Sequence, residues 1–228
     1  PTAKFTRLTE IGFYLQILGE VVLGSLDNGM TRGEALQEIL TVLNTLTQLQ
    51  NPANGGRLGL LRTAYNLDPA LQPGTTEIGF GENVNLSQSI AVMVGILQTV
   101  ILPASLQAIE ANVIAAAEIF LDNQTTGYQQ FYDSGAGKFH AVYNTASSQY
   151  TPNFYIDRLA NEFRSGVAFV VTRYPGISVN AWNNLVTVNR TYQDQFGQNV
   201  TNLVPFDGGA FQMFWPLLWS DEQDRASM

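Results

Sequence analysis

Leu8-Thr9-Glu10-Ile11-Gly12-Phe13-Tyr14-Leu15-Gln16-Ile17-Leu18-Gly19-Glu20-Val21-Val22 is the stretch from which the fold is read. Leu8, Ile11, Leu15, Leu18 and Val22 recur at the spacing of a helix that buries one face. The predicted helix covers about Phe5 to Leu26 and stops at the turn signal Asp27-Asn28-Gly29. Thr31-Arg32-Gly33-Glu34 reads as a capping box, in which hydroxyl and carboxylate each satisfy a free backbone amide. Leu36, Leu40, Leu43 and Leu46 follow on one face. Two such helices joined by a short polar turn form an antiparallel hairpin.

Outward from this pair, residues 51–81 are loop-rich, with Pro52, Gly55-Gly56, Pro69, Pro73-Gly74 and Gly79. A third helix is predicted from about Asn85, its N-cap, to Leu102. Pro103 opens a fourth, Ala-rich helix that ends near Leu121. Residues 128–145 are rich in Tyr and Phe, and Lys138 to Tyr143 predicts a short strand. A fifth helix is predicted from Phe154 to Arg173, stopped by Pro175-Gly176, with a short helix near Val179–Leu185. Leu203 to Phe206 is predicted to be extended. Helix pairs separated by long polar loops are the pattern of an α/α toroid. The expected fold is therefore mainly α: antiparallel helix pairs with a small β-hairpin insertion, as a single domain over residues 1–228. Long loops on one face of such a fold form the site.

Composition removes several classes of function. The formal net charge is −8, and the 11 Lys and Arg are nowhere concentrated. Nucleic-acid binding needs a basic footprint and is not expected, nor is recruitment to an anionic membrane. There is no cysteine, so disulfides, thiolate metal sites and Cys nucleophiles are out. His140 is the only histidine, and no metal-ligand spacing or phosphate-cradling glycine motif occurs; no metal or cofactor is expected. No stretch reaches the ~20 apolar residues of a membrane span. The longest, Ile90 to Leu102, is broken by Gln98 and followed by Pro103.

Within the fifth helix, Tyr155, Leu159, Glu162, Gly166 and Phe169 step by threes and fours and so share a face. A carboxylate on an apolar stripe has its pKa raised by burial, the condition for a general acid near neutral pH. On periodicity alone, an ion pair with Arg158 or Arg164, or a place at the rim of the stripe, is the simpler reading of Glu162. Glu82 lies in Gly79-Phe80-Gly81-Glu82-Asn83-Val84-Asn85-Leu86, before a helix N-terminus. It is aimed into a cleft or simply favoured by the helix dipole. Two carboxylates flanking a glycosidic bond are the minimum apparatus of most glycosidases. Other acids are at hand in Glu10, Asp68, Asp133, Asp157 and Asp207. Trp182, Trp215, Trp219 and the corner Asp207-Gly208-Gly209 suit sugar stacking or core packing.

Several segments, in order, resemble the glucoamylase-like (α/α)6 toroids, which include endo-β-1,2-glucanases and domains of cyclic β-1,2-glucan synthases. Thr9-Glu10-Ile11-Gly12-Phe13-Tyr14-Leu15 resembles the family's opening helix, and Glu82-Asn83-Val84-Asn85-Leu86 the segment that opens its third. Tyr132-Asp133-Ser134 through Lys138-Phe139 and Tyr143-Asn144 resembles its hairpin. Phe154 to Arg164 resembles its "YYDLLASEAR" segment, and Gly208 to Leu218 its "GSMFEYLMPLL" segment.

The resemblance implies a glycoside hydrolase-like domain that acts on or binds a β-glucan, with Glu82 and Glu162 as catalytic carboxylates facing a central cavity. It implies Tyr155, Arg164, Asn85, Asp207 and Trp215 as substrate-binding residues, and an extracytoplasmic setting, periplasmic or secreted. Two positions and one segment depart from the family. Glu82 stands for an Asp, Gln212 stands for an acid and cannot titrate, and an aromatic segment is poorly kept around Tyr65-Asn66-Leu67-Asp68. The family's domain also has a second half beyond the segment matched by Pro216-Leu217-Leu218. Half a toroid leaves inner helix faces uncovered. The expected partner is a second protein chain, or a second copy, that completes the ring. Loss of the acid at Gln212 keeps open the alternative of a non-catalytic structural or assembly subunit.

Overall fold

A computed structural model of the chain describes residues 4–67, 70–205 and 209–219. Strand β1 (Phe5–Arg7) runs directly into helix α1 (Leu8–Leu23). The helix ends at Gly24, whose φ of 89° is the left-handed conformation that glycine adopts without strain. The predicted capping box forms: Thr31 Oγ1 accepts from the Glu34 amide at 3.2 Å, and Glu34 Oε2 accepts from the Thr31 amide at 2.7 Å. Helix α2 (Arg32–Leu49) follows, and β2 (Ala64–Asn66) returns to pair antiparallel with β1.

Strand β3 (Glu77–Gly79) leads into α3 (Phe80–Thr99), which is paired with α4 (Ala104–Asn123). Helix α1 packs on α3 and α2 packs on α4, so the two hairpins lie side by side in two layers. Leu15, Leu18, Ile39, Leu43, Ile90 and Phe120 are fully buried between them. Helix α3 starts earlier than the expected cap at Asn85. Gly79 is the N-cap, and the β3 ladder hands the chain straight to the helix. The glycines that mark a loop in the sequence serve packing here instead.

Nearly all of the first half of α3 is buried, polar residues included. Asn83 clamps one loop residue, accepting from the Leu61 amide and donating to the Leu61 carbonyl, both at 2.9 Å. Ser87 Oγ lies 2.7 Å from Gln124 Oε1 and 2.8 Å from Tyr128 Oη. Buried polar groups kept in this way satisfy one another and avoid the cost of lost water.

After α5 (Thr125–Phe131) come β4 (Tyr132–Asp133), β5 (Lys138–His140), β6 (Val142–Asn144), β7 (Gln149–Tyr150) and β8 (Tyr155–Ile156). They form two antiparallel sheets, ordered β4-β5-β8 and β3-β6-β7. The insertion is thus larger than the single hairpin expected. The strand predicted over Lys138–Tyr143 is split at Ala141, whose amide donates to the Phe154 carbonyl and whose carbonyl accepts from Phe80. A second core gathers here, with Phe80, Tyr128, Phe131, Phe139 and Val167 fully buried or nearly so.

The fifth helix is shorter than its periodicity suggests. Helix α6 is Arg164–Arg173, and residues 154–163 are not helical. Tyr155 and Ile156 are taken into the sheet by His140 and Phe139, and Arg158 bridges Val186. Asn161 then makes a turn, its Oδ1 accepting from the Phe163 amide at 2.7 Å. The apolar stripe through Tyr155, Leu159 and Glu162 is therefore not a helix face.

Helix α6 packs on α3 and extends the inner layer. Helix α7 (Asn180–Asn183) is followed by a hairpin of β9 (Asn189–Gln193) and β10 (Asn199–Leu203) that the sequence reading does not predict. Helix α8 (Ala210–Phe214) and a 3-10 turn over Trp215–Leu218 end the described chain. Extension continues past Leu203 through Val204, which bonds Val188, while Phe206 lies outside the described residues. Among the described residues one helical run, Ala104–Phe131, is long and apolar enough to cross a membrane by length and composition alone. It packs on α2 and α3, and Val113, Ala117, Phe120 and Leu121 face the core.

Candidate active site

The N-terminal turns of α1 and α3 lie against one another, and Glu82 joins them. Its Oε2 accepts from the Thr9 amide at 3.0 Å and from Thr9 Oγ1 at 2.7 Å. Its Oε1 lies 3.4 Å from the Arg7 guanidinium. Asn85 Nδ2 donates to the same threonine hydroxyl at 3.2 Å. Asn85 is buried, and its Oδ1 has no hydrogen-bond partner among the described residues. Glu10 turns the other way and caps α1, accepting from the Arg7 amide at 2.9 Å.

Glycine allows the next approach. A Cβ on Gly81 would stand 2.2 Å from the Phe163 ring, and one on Gly166 would stand 2.5 Å from Val84. Glu82 and Glu162 are thus the sequence neighbours of the two residues that touch, one on α3 and one in the turn before α6. Glu162 is half-buried. Arg164 opens α6 and donates to the carbonyls of Gln212 at 3.3 Å and Met213 at 2.8 Å. This ties the end of the described chain to the same corner.

The tryptophans complete it. Phe13 of α1 stacks on Trp219 at 5.6 Å and 13°, and meets Trp215 edge-on at 5.1 Å. Trp219 Nε1 donates to Ser89 Oγ at 2.9 Å. Trp215 therefore sits in an aromatic cluster over the inner helices. Thr9, Arg7, Asn161 and Phe163 are site-forming residues that sequence reading passes over. Only the turn-forming Asn161 carries a local signal.

Tyr155 belongs to a different cluster. Its hydroxyl donates to Asp133 Oδ2 at 2.9 Å, and its ring stacks on His140 at 4.8 Å. Tyr150 covers the other side of His140 at 4.1 Å. Asp133 also accepts from the Ala136 amide at 3.0 Å and the Gly135 amide at 2.9 Å. The Ala136 amide, with the Tyr155 hydroxyl, holds its carboxyl below the ordinary value. Burial holds the His140 imidazole low, against the pull of Asp133 3.8 Å away. Asp68 and Asp207 lie outside the described residues. Among the described residues no group of His, Cys, Asp and Glu could hold a metal ion.

No family model matches the chain, and no curated protein does. Solved structures do. The chain is similar to the endo-β-1,2-glucanase of Talaromyces funiculosus in its complex with sophorose, at 14% identity and a TM-score of 0.73. It is similar to a mutant of that enzyme with β-1,2-glucan at 14% identity and a TM-score of 0.76. Each comparison covers 97% of this chain and 49% of the other, so the chain spans about half the length of the structures it matches. The likeness shows the fold: part of an α/α toroid, with α1, α3 and α6 in one layer and α2 and α4 in the other.

Proposed function

We propose that this chain is a glycoside hydrolase-like domain that acts on or binds a β-glucan where α1, α3 and α6 meet, completed there by a partner chain or a second copy. The observation that supports the reading is a likeness over 97% of this chain to a β-1,2-glucanase fold, with Glu82 and Glu162 each next in sequence to one side of the Gly81–Phe163 contact. The two have different roles. Both oxygens of Glu82 are engaged by Arg7 and Thr9, which makes it a positioning residue that locks α1 to α3. Glu162 is the acid or base. Arg164 and Asn85 hold the substrate side of the corner, and Trp215 borders it.

Incubation of the protein with linear β-1,2-glucan tests this. We expect new reducing ends with the wild type and background with Glu162→Gln. Background from both, with glucan binding retained, selects the second reading, a non-catalytic subunit on a toroid scaffold. Gln212 favours that reading, because an amide stands where the resemblance calls for an acid.

A further inference from the structure

A groove of about 580 Å3 runs between α3 and α6, bordered by Trp182 and Trp219. It meets α3 at Gln88, six residues beyond Glu82, which is about 9 Å further along the helix. We propose that this groove is a second, non-catalytic binding site for a neutral oligosaccharide. The proposal rests on the β-glucan reading for its ligand class but not for its geometry.

Trp219 is a prepared platform. Its indole N–H is committed to Ser89, and Phe13 lies parallel to one face of its ring. Its position is therefore set before any ligand arrives, while the side chain still borders the groove. Rigid aromatic surface of this kind binds at little entropic cost. Trp182, half-buried on α7, supplies a second indole.

The polar groups are few and placed. Gln88 is 5% exposed, and its Oε1 accepts from Ser165 Oγ at 3.4 Å. The amide of Gln88 and the hydroxyls of Ser165 and Thr172, set among Ala168, Phe169 and the two indoles, fix orientation by hydrogen bonds, the usual make-up of a small-molecule site. Charge decides the ligand class. Among the described residues Arg173 is the only charged one of the lining, and it already bonds Glu118 at 2.6 Å and Asp122 at 3.0 Å. An anionic ligand would have to compete with that pair, whereas a neutral sugar would not. Among the described residues no carboxylate lines the groove, so the role proposed for it is binding and not hydrolysis.

The test uses the full protein carrying Glu162→Gln, so that glucan is not consumed, with calorimetric titration of linear β-1,2-glucan oligosaccharides. Trp182→Ala removes one wall, and Ala168→Phe fills the groove while leaving both tryptophans in place. We expect Trp182→Ala to weaken one class of sites about five- to tenfold, the scale of one aromatic contact. We expect Ala168→Phe to remove that class of sites and halve the stoichiometry, with unchanged circular dichroism in both. In the Glu162 wild-type background both variants keep kcat on short substrates. Titrations identical to the parent overturn the proposal, and so does a parent that binds none of the glucans. If Ala168→Phe instead lowers the mass of the assembly and leaves glucan binding intact, the groove seats a helix of a partner and the proposal fails. Groove-dependent binding without hydrolysis leaves it standing and removes the catalytic reading alone.

Discussion

Glu82 and Glu162 flank one contact in the chain but are held in different ways. The hydroxyl of Thr9 gives Glu82 a charge-assisted bond of 2.7 Å, and Arg7 adds a longer one at 3.4 Å. Glu82→Gln keeps the shape and loses the charge. We expect it to lower unfolding free energy by about 1–2 kcal/mol in urea titration, with activity falling in step. Glu162→Gln should remove hydrolysis outright, whatever its effect on stability. The reverse pattern would exchange their roles. His140 makes a separate prediction. Its folded pKa lies below the ordinary value, so the unfolded chain takes up the proton first as the pH falls. The associated stability is whole above the unfolded value of about 6.5 and is lost as the pH drops through the lower folded value. Asp133, also held low, contributes only further down, below about 3.9. Melting temperature should therefore fall between pH 7.5 and pH 5, and His140→Gln should flatten that part of the profile.

At the scale of elements, close helix approach depends on missing side chains. Gly12 faces Ser89 across the α1–α3 contact, where a Cβ would stand 2.7 Å from Oγ. Gly81 faces the Phe163 ring more tightly still. Gly81→Ala gains up to about 1 kcal/mol of helix propensity but forces the ring, and the turn that carries Glu162, to move. Misplacing a reacting group by about 1 Å costs on the order of a hundredfold in rate. We expect Gly81→Ala to fold, with unfolding free energy lowered by about 1–3 kcal/mol, and to lose about a hundredfold in kcat/KM. Unchanged kcat/KM would mean that the Gly81–Phe163 contact does not set the site.

At the scale of the molecule, the described residues cover the inner layer only partly. The turn with Trp215 and Trp219 lies over α1 and α3, yet Ile17 is 46% and Leu218 is 50% exposed beside it. These two, with Phe13, Leu26, Val92 and Ile96, line one shallow apolar groove. A contiguous apolar patch of this sort is the mark of an interface. We expect sedimentation velocity to give a dimer or a larger complex, and Ile17→Glu to shift it to monomer. A wild-type monomer at every concentration would remove the partner from the proposal.

Helix hairpins were legible from residues alone, because their signals are local. The spacing of Leu8, Leu15 and Val22, the box at Thr31 and Glu34, and the proline at 103 act within one or two turns. The strand at Lys138 was readable in the same way from its pattern, whereas its hairpin with Tyr132 and Asp133 came from the resemblance. The carboxylates' surroundings were not. Glu162 was picked out by a helical stripe that does not exist, since pairing of Tyr155 with His140 and of Arg158 with Val186 overrides the local period. Nothing near Glu82 in sequence announces Thr9 as its partner, 73 residues away. Sequence by itself determined the four helices of the two hairpins and their apolar faces. Tertiary structure alone decided which side chains meet, because contacts between distant segments are chosen by shape and by the satisfaction of buried polar groups across the whole chain.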